Sequence, residues 1–149
     1  FKLEWRNGQI HRIDFPPLPH PLAMFGVAQL GDRIYIAGGQ QDPGSAIAGR
    51  NFWFLDLNKQ DEGWQSLEPW PGPGRILPVM AAQDGAVYLF GGCDLYANDQ
   101  GATTRTYLTD GYAFTPAAGW KTVANPPAAV TAAPSIAHRV CLDCVSQNR

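Results

Sequence analysis

No apolar run in the sequence approaches the ~20 residues that a membrane-spanning helix needs, so these 149 residues carry no such span. Charge is sparse: Asp, Glu, Lys and Arg make up 16% of the chain and the formal net charge is -2. There is therefore no basic field to hold nucleic acid or an anionic membrane surface. Cysteine is scarce too, and three of them do not make a disulfide framework. An initiator Met and a signal-like apolar segment are both missing at Phe1. The numbered chain thus reads as a processed product or a piece of something longer, and its N-terminus assigns no compartment. By contrast, hydrophobic residues make up 45%, which excludes disorder. Sixteen glycines and 13 prolines suit many short strands joined by tight turns.

What is present is a repeat. Val87-Tyr88-Leu89-Phe90-Gly91-Gly92 has a twin in Ile34-Tyr35-Ile36-Ala37-Gly38-Gly39. Their glycine pairs lie about 53 residues apart, against a period of roughly 50 for one propeller blade of the kelch kind. In each copy a β-branched and aromatic run predicts a buried strand. The two glycines at its end permit positive φ and close backbone approach.

The rest of the chain is placed from those two strands. Residues 1–21 are expected to close a preceding, partial blade with one strand over Gln9–Phe15. The proline cluster from Pro16 to Pro21 then cannot continue a ladder and serves as a connection. A full unit over 22–74 predicts strands at Met24–Leu30, Arg33–Ala37, Phe52–Leu57 and Trp64–Leu67. Gly31-Asp32 is its tight turn and Gln40 to Arg50 its polar loop. The Phe52–Leu57 run is apolar on both faces, so it belongs inside a sheet. A second unit over 75–132 repeats the order with Pro78–Gln83, Ala86–Phe90, a strand within Tyr107–Phe114, and Gly119–Val123. Its turn is Asp84-Gly85, and a longer loop runs from Cys93 to about Arg105. Residues 133–149 start a further unit at Ala133 and then lose the pattern in a divergent tail. The expected fold is all-β, with two complete four-stranded antiparallel up-and-down blades and two partial ones. Propellers close with about four to eight blades, so the chain reads as part of a larger ring or as a unit that self-associates.

The pattern of tyrosine strand, Gly-Gly, apolar strand, Trp and proline-rich connection resembles kelch repeats. Gly63-Trp64, Pro71-Gly72-Pro73-Gly74-Arg75-Ile76-Leu77, Tyr88 to Gly92, Arg105 to Asp110 and Gly119-Trp120-Lys121 sharpen it. Together they resemble the N-acetylneuraminate epimerase family and its cyclically permuted mutarotase branch over most of residues 3–137. That resemblance implies a six-bladed propeller, usually exported in bacteria, and so an exported or periplasmic location. It also implies an isomerase that interconverts anomers of sialic acid, a small sugar acid.

In an up-and-down blade successive connections alternate between two ends. The end opposite the tight turns collects Asp42, Arg50, Arg75, Asp94, Asn98, Asp99 and Arg105, and long loops on a rigid scaffold are where sites are built. Opening a cyclic hemiketal needs a base at the anomeric hydroxyl and an acid at the ring oxygen. A carboxylated sugar also calls for a guanidinium fork. Arg75 and Arg105 are the candidates for binding the substrate carboxylate, and Asp94 is the candidate acid or base. Each has a plainer reading beside it. Arg75 also fits a structural arginine bonded to carbonyls, Arg105 a solvated loop charge, and Asp94 a loop cap. The regular spacing of Tyr35, Tyr88, Trp53, Trp64 and Trp120 points to packing between blades; Trp70 is less regular and fits either packing, the favoured reading, or partial exposure near a ligand. His138, Cys141 and Cys144 lack the fourth ligand of a structural zinc site and the βαβ setting of a redox pair. Cys93 stands without the ligand set of the copper-radical oxidases that share the fold. No metal and no cofactor are expected. The competing functional readings are a kelch module that binds a protein or glycan without catalysis, and a truncated chain without activity of its own.

Overall fold

The structure of the chain, a computed structural model, describes residues 1–136. The set His138, Cys141 and Cys144, and the tail around it, lie outside the described residues. A hairpin of β1 (Lys2–Arg6) and β2 (Gln9–Ile13) comes first. A four-stranded antiparallel sheet follows, from β3 (Gly26–Leu30), β4 (Arg33–Ala37), β5 (Phe52–Asp56) and β6 (Gln65–Ser66). The next sheet begins with β7 (Val79–Gln83) and β8 (Ala86–Phe90). The chain then makes a separate hairpin of β9 (Cys93–Ala97) and β10 (Thr103–Tyr107). It returns to finish the second sheet with β11 (Gly111–Thr115) and β12 (Gly119–Thr122). Both large sheets are up-and-down blades, and no helix among the described residues is long and apolar enough to cross a membrane.

Side-chain alternation decides which face of each blade is buried. Ala28, Tyr35, Ala37 and Phe52 from the first blade meet Met80, Val87, Leu89, Tyr112 and Phe114 from the second in one core. Tyr35 and Phe114 lie 5.7 Å apart, Phe52 and Phe114 4.8 Å, and Phe52 and Trp120 4.7 Å. Aromatic pairs in such tilted and edge-on arrangements add about 0.5–1.5 kcal/mol each beyond their buried area. As its two apolar faces require, β5 sits between β4 and β6. Tyr88, the repeat partner of Tyr35, lies on the other face of the second blade and stacks on Phe90.

The glycine pairs do the same work in both blades. Gly38 and Gly91 donate to Asn51 O and Asp110 O, and Gly39 and Gly92 donate to Arg75 O and Val130 O. Each second glycine thus receives the chain arriving at the next unit. The innermost turns form a matching ladder. Met24, Leu77 and Ala132, about one repeat apart, all have left-handed φ, at 58°, 54° and 50°. Leu77 donates its backbone N–H to Met24 O at 2.6 Å, and Ala132 donates to Leu77 O at 3.0 Å. The third unit therefore starts in register, and Ser135 Oγ adds a bond to Met80 O at 2.6 Å.

Two expectations are corrected. Residues 1–21 hold two strands, not one, because Asn7-Gly8 turns the chain back and pairs Trp5 with Ile10. The stretch from Cys93 to Arg105, expected as an open loop, is mostly the β9–β10 hairpin. The tryptophan ties are repeat-wise. Trp64 Nε1 donates to Pro16 O and Trp120 Nε1 to Glu68 O, both at 3.0 Å, so each reaches the connection that leads into its own blade.

Candidate functional site

The β9–β10 hairpin forms because its strands are rich in Thr, Tyr and Leu around a turn with its own chemistry. Asn98 Oδ1 accepts the N–H groups of Gln100 and Ala102, and Gly101 N–H returns to Asn98 O. The register opposes Leu95 to Arg105 and Asp94 to Thr106. Period-two alternation then puts Leu95 and Arg105 on one face and Asp94 on the other. The Leu95 face packs with Cys93 on Ile76 and Ala48, the last from the loop joining β4 and β5. Between that loop and the hairpin lies a groove of about 520 Å³, lined in part by Gln40, Ser45, Met24, Ile76, Leu95 and Arg105. Gln40 is buried and donates its amide N–H groups to Pro43 O and Ser45 O, which shapes the loop wall. Arg105 is exposed and brings a guanidinium to the opening. None of the described residues lining the groove is a carboxylate or a histidine.

Arg75 precedes Ile76 of the groove wall in the chain, and water does not reach it: its exposure is 0%. Its Nη1 and Nη2 grip the Asp110 carboxylate at 2.9 and 2.8 Å, and Nη1 also donates to Gly91 O at 2.8 Å. The guanidinium lies between the rings of Trp70 and Tyr112, 5.1 and 5.4 Å from their centroids. Tyr112 donates its hydroxyl to Asp110 Oδ2 at 2.9 Å. Burial alone would raise the Asp110 pKa, but the hydrogen bonds and charge of Arg75, with the Tyr112 hydroxyl, outweigh it and hold the carboxyl below its ordinary value. Burial, joined by the bond to Asp110, pushes the Tyr112 phenol up.

A family model described as N-acetylneuraminate epimerase matches residues 15–142. The chain belongs to the N-acetylneuraminate epimerase family. The N-acetylneuraminate epimerase of Haemophilus influenzae (strain PittEE) is 32% identical over 102 residues, which covers 68% of this chain and 24% of that protein. That of Salmonella arizonae is 31% identical over 103 residues, again 68% and 24%. The solved structure of YjhT superposes with a TM-score of 0.60 at 26% identity, covering 78% of this chain and 32% of that one. The chain thus spans about a quarter of the length of these curated relatives.

Within this epimerase-family chain the three candidate residues do not converge. Arg105 alone lines the groove. Asp94 is half-buried on the face opposite Leu95, where its Oδ1 accepts the Leu95 N–H at 2.8 Å. A substrate carboxylate would have to displace Asp110 to reach the fork of Arg75. Two other residues of that end are bonded within the fold: Asp42 Oδ1 accepts the Gly44 N–H, and Arg50 donates to Trp70 O. Trp70 is fully buried, which leaves the packing reading and removes that of partial exposure near a ligand. Sequence reasoning missed Asp110 and Tyr112. The available signal was a comparison of the two repeats. The bridges Ala23–Gln40 and Ile76–Cys93 align Leu22 with Arg75, and the glycine bonds align Asn51 with Asp110. A neutral pair in one blade is a charged pair in the next.

The lowered Asp110 pKa has a pH consequence. The unfolded carboxyl, near the usual value of about 3.9, binds a proton at a higher pH than the folded one. The stability that Asp110 contributes is therefore present above that value and is lost as pH falls through the folded pKa below it. Urea midpoints measured across the acid range should drop there for the native chain, and Asp110→Asn should flatten that part of the decline.

Proposed function

We propose that this chain forms part of a mutarotase propeller for N-acetylneuraminate, with the groove beneath the β9–β10 hairpin receiving the sugar acid and Arg105 pairing with its carboxylate. The observation that supports this reading is the exposed guanidinium on β10, opposite buried Leu95, at a groove shared by both blades. Planar bidentate pairing suits a carboxylate, and the apolar wall of Met24, Ile76 and Leu95 suits the carbon face of a sugar. In the reaction a base takes the anomeric hydroxyl proton, a carbonyl forms as the ring C–O bond breaks, and an acid protonates the ring oxygen. Closure on the other face of the carbonyl gives the other anomer. No carboxylate lines the groove among the described residues, so a second reading also has support: a module that binds the sugar acid without turning it over.

Proton NMR started from the pure α anomer separates the two. Acceleration over the uncatalysed exchange supports the mutarotase. Saturable line broadening without acceleration supports binding alone, and neither effect ends both. Arg105→Ala is expected to weaken binding about ten- to a hundredfold, because a charge-assisted hydrogen bond is worth about 1.5–3 kcal/mol. In the same series, loss of turnover in Asp94→Asn with binding intact would put the reacting centre on the hairpin face opposite Leu95 and Arg105.

A further inference from the structure

Arg75 joins both walls of the groove. The hairpin leaves the second blade after Gly92 and returns at Leu108, and its base is closed by Leu108 N–H to Gly92 O and Gly91 N–H to Asp110 O. The Arg75 side chain holds both feet, Gly91 O on the outgoing side and the Asp110 carboxylate on the returning side. Its backbone holds the other wall. Arg75 N–H donates to Gly49 O at 3.1 Å, Arg75 O accepts from Gly39 N–H at 2.8 Å, and Gly49 N–H closes onto Gly39 O at 2.7 Å. Nε is buried and has no hydrogen-bond partner among the described residues, and the Nη bonds of this guanidinium are directed at the hairpin feet.

We propose that Arg75 is a positioning residue, which sets the β9–β10 hairpin against the 40–51 loop and thereby aims Arg105 into the groove. This rests on the groove being the sugar-acid site, and it changes the assignment of Arg75 from substrate contact to support. Any residue at this position keeps the backbone bonds to the loop wall, and only the arginine fork reaches the hairpin feet. Loss of the fork or of its partner therefore frees one wall and leaves the other. Local opening of a small unit of this kind is what amide exchange detects, and misplacement by about 1 Å can cost up to about a hundredfold in function.

The test uses hydrogen exchange and N-acetylneuraminate titration on the chain with Asp110→Asn, Tyr112→Phe, Arg75→Lys and Arg105→Ala. In Asp110→Asn the amides of residues 93–107 should exchange about tenfold faster, with those of residues 40–51 and β4 unchanged, and sugar affinity should fall about tenfold or more. Tyr112→Phe removes one bond to Asp110 and should shift both readouts less. Arg75→Lys keeps the charge but loses the fork that serves both Gly91 O and Asp110, and should shift both readouts at least as far as Asp110→Asn. Arg105→Ala should lose affinity with no change in exchange. Unchanged hairpin exchange in Asp110→Asn, or a rise spread evenly over all strands, overturns the positioning role. Selective hairpin opening in a chain that binds no N-acetylneuraminate upholds that role and removes the sugar-acid reading.

Discussion

Arg75→Ala is expected to lower the stability of the chain by about 3–5 kcal/mol, the range for removing one partner of a buried ion pair. The reason lies in what the truncation leaves behind. Asp110 keeps a half-buried carboxylate without its cation, Gly91 O loses its donor, and a cavity opens between Trp70 and Tyr112. A favourable charge contact counts for less here than the penalty of an orphaned charge. The first repeat supplies an internal control, because its equivalent positions carry Leu22 and Asn51. The double substitution Arg75→Leu with Asp110→Asn should therefore recover much of the loss, as apolar or neutral replacements of buried pairs commonly do. Urea unfolding followed by tryptophan fluorescence measures both. A double variant no more stable than Arg75→Ala would show that the pair contributes through geometry that leucine does not restore.

Gly91→Ala should cost roughly 2–4 kcal/mol, the sum of left-handed strain for a residue with a Cβ and a steric conflict in a packed region. A Cβ at Gly91 collides with Val130 O, and one at Gly38 with Arg75 O, so the obstacle is backbone in both blades. Neither carbonyl can swing away, because each is the acceptor of the neighbouring glycine N–H. Gly85 is the control: its φ is also positive, at 79°, but nothing lies within 4 Å of its missing Cβ. Gly85→Ala should cost only the conformational strain, about 1 kcal/mol. Equal melting-temperature losses for the two variants would refute the close-approach argument.

The repeat was legible because it is local. Alternation in Ile34 to Ala37 and Val87 to Phe90, glycine pairs and turn residues each act within a few positions of the chain. Both four-stranded sheets follow from them. The β9–β10 hairpin was less visible, since Thr103 to Tyr107 is polar on both faces and lacks an apolar alternation to announce a strand. Cross-strand pairing with Cys93 to Ala97, not burial of β10 itself, makes it one.

The glycine pairs mattered beyond naming a blade. From sequence they marked the end of a strand; in three dimensions they are the sockets that receive the next unit, at Arg75 and at Val130. Short-range pattern was therefore enough for the fold and for the end of the blades where the long connections gather, and resemblance of whole motifs was enough for the family. Only the packed molecule decided the roles of the charged residues there. Whether an arginine meets a ligand, solvent or an aspartate depends on which partner the fold brings within about 3 Å. Asp110 stands 35 residues from Arg75 along the chain and 2.8 Å from it in space. Arg105 and Asp94 are close in sequence, and strand alternation turns them to opposite faces.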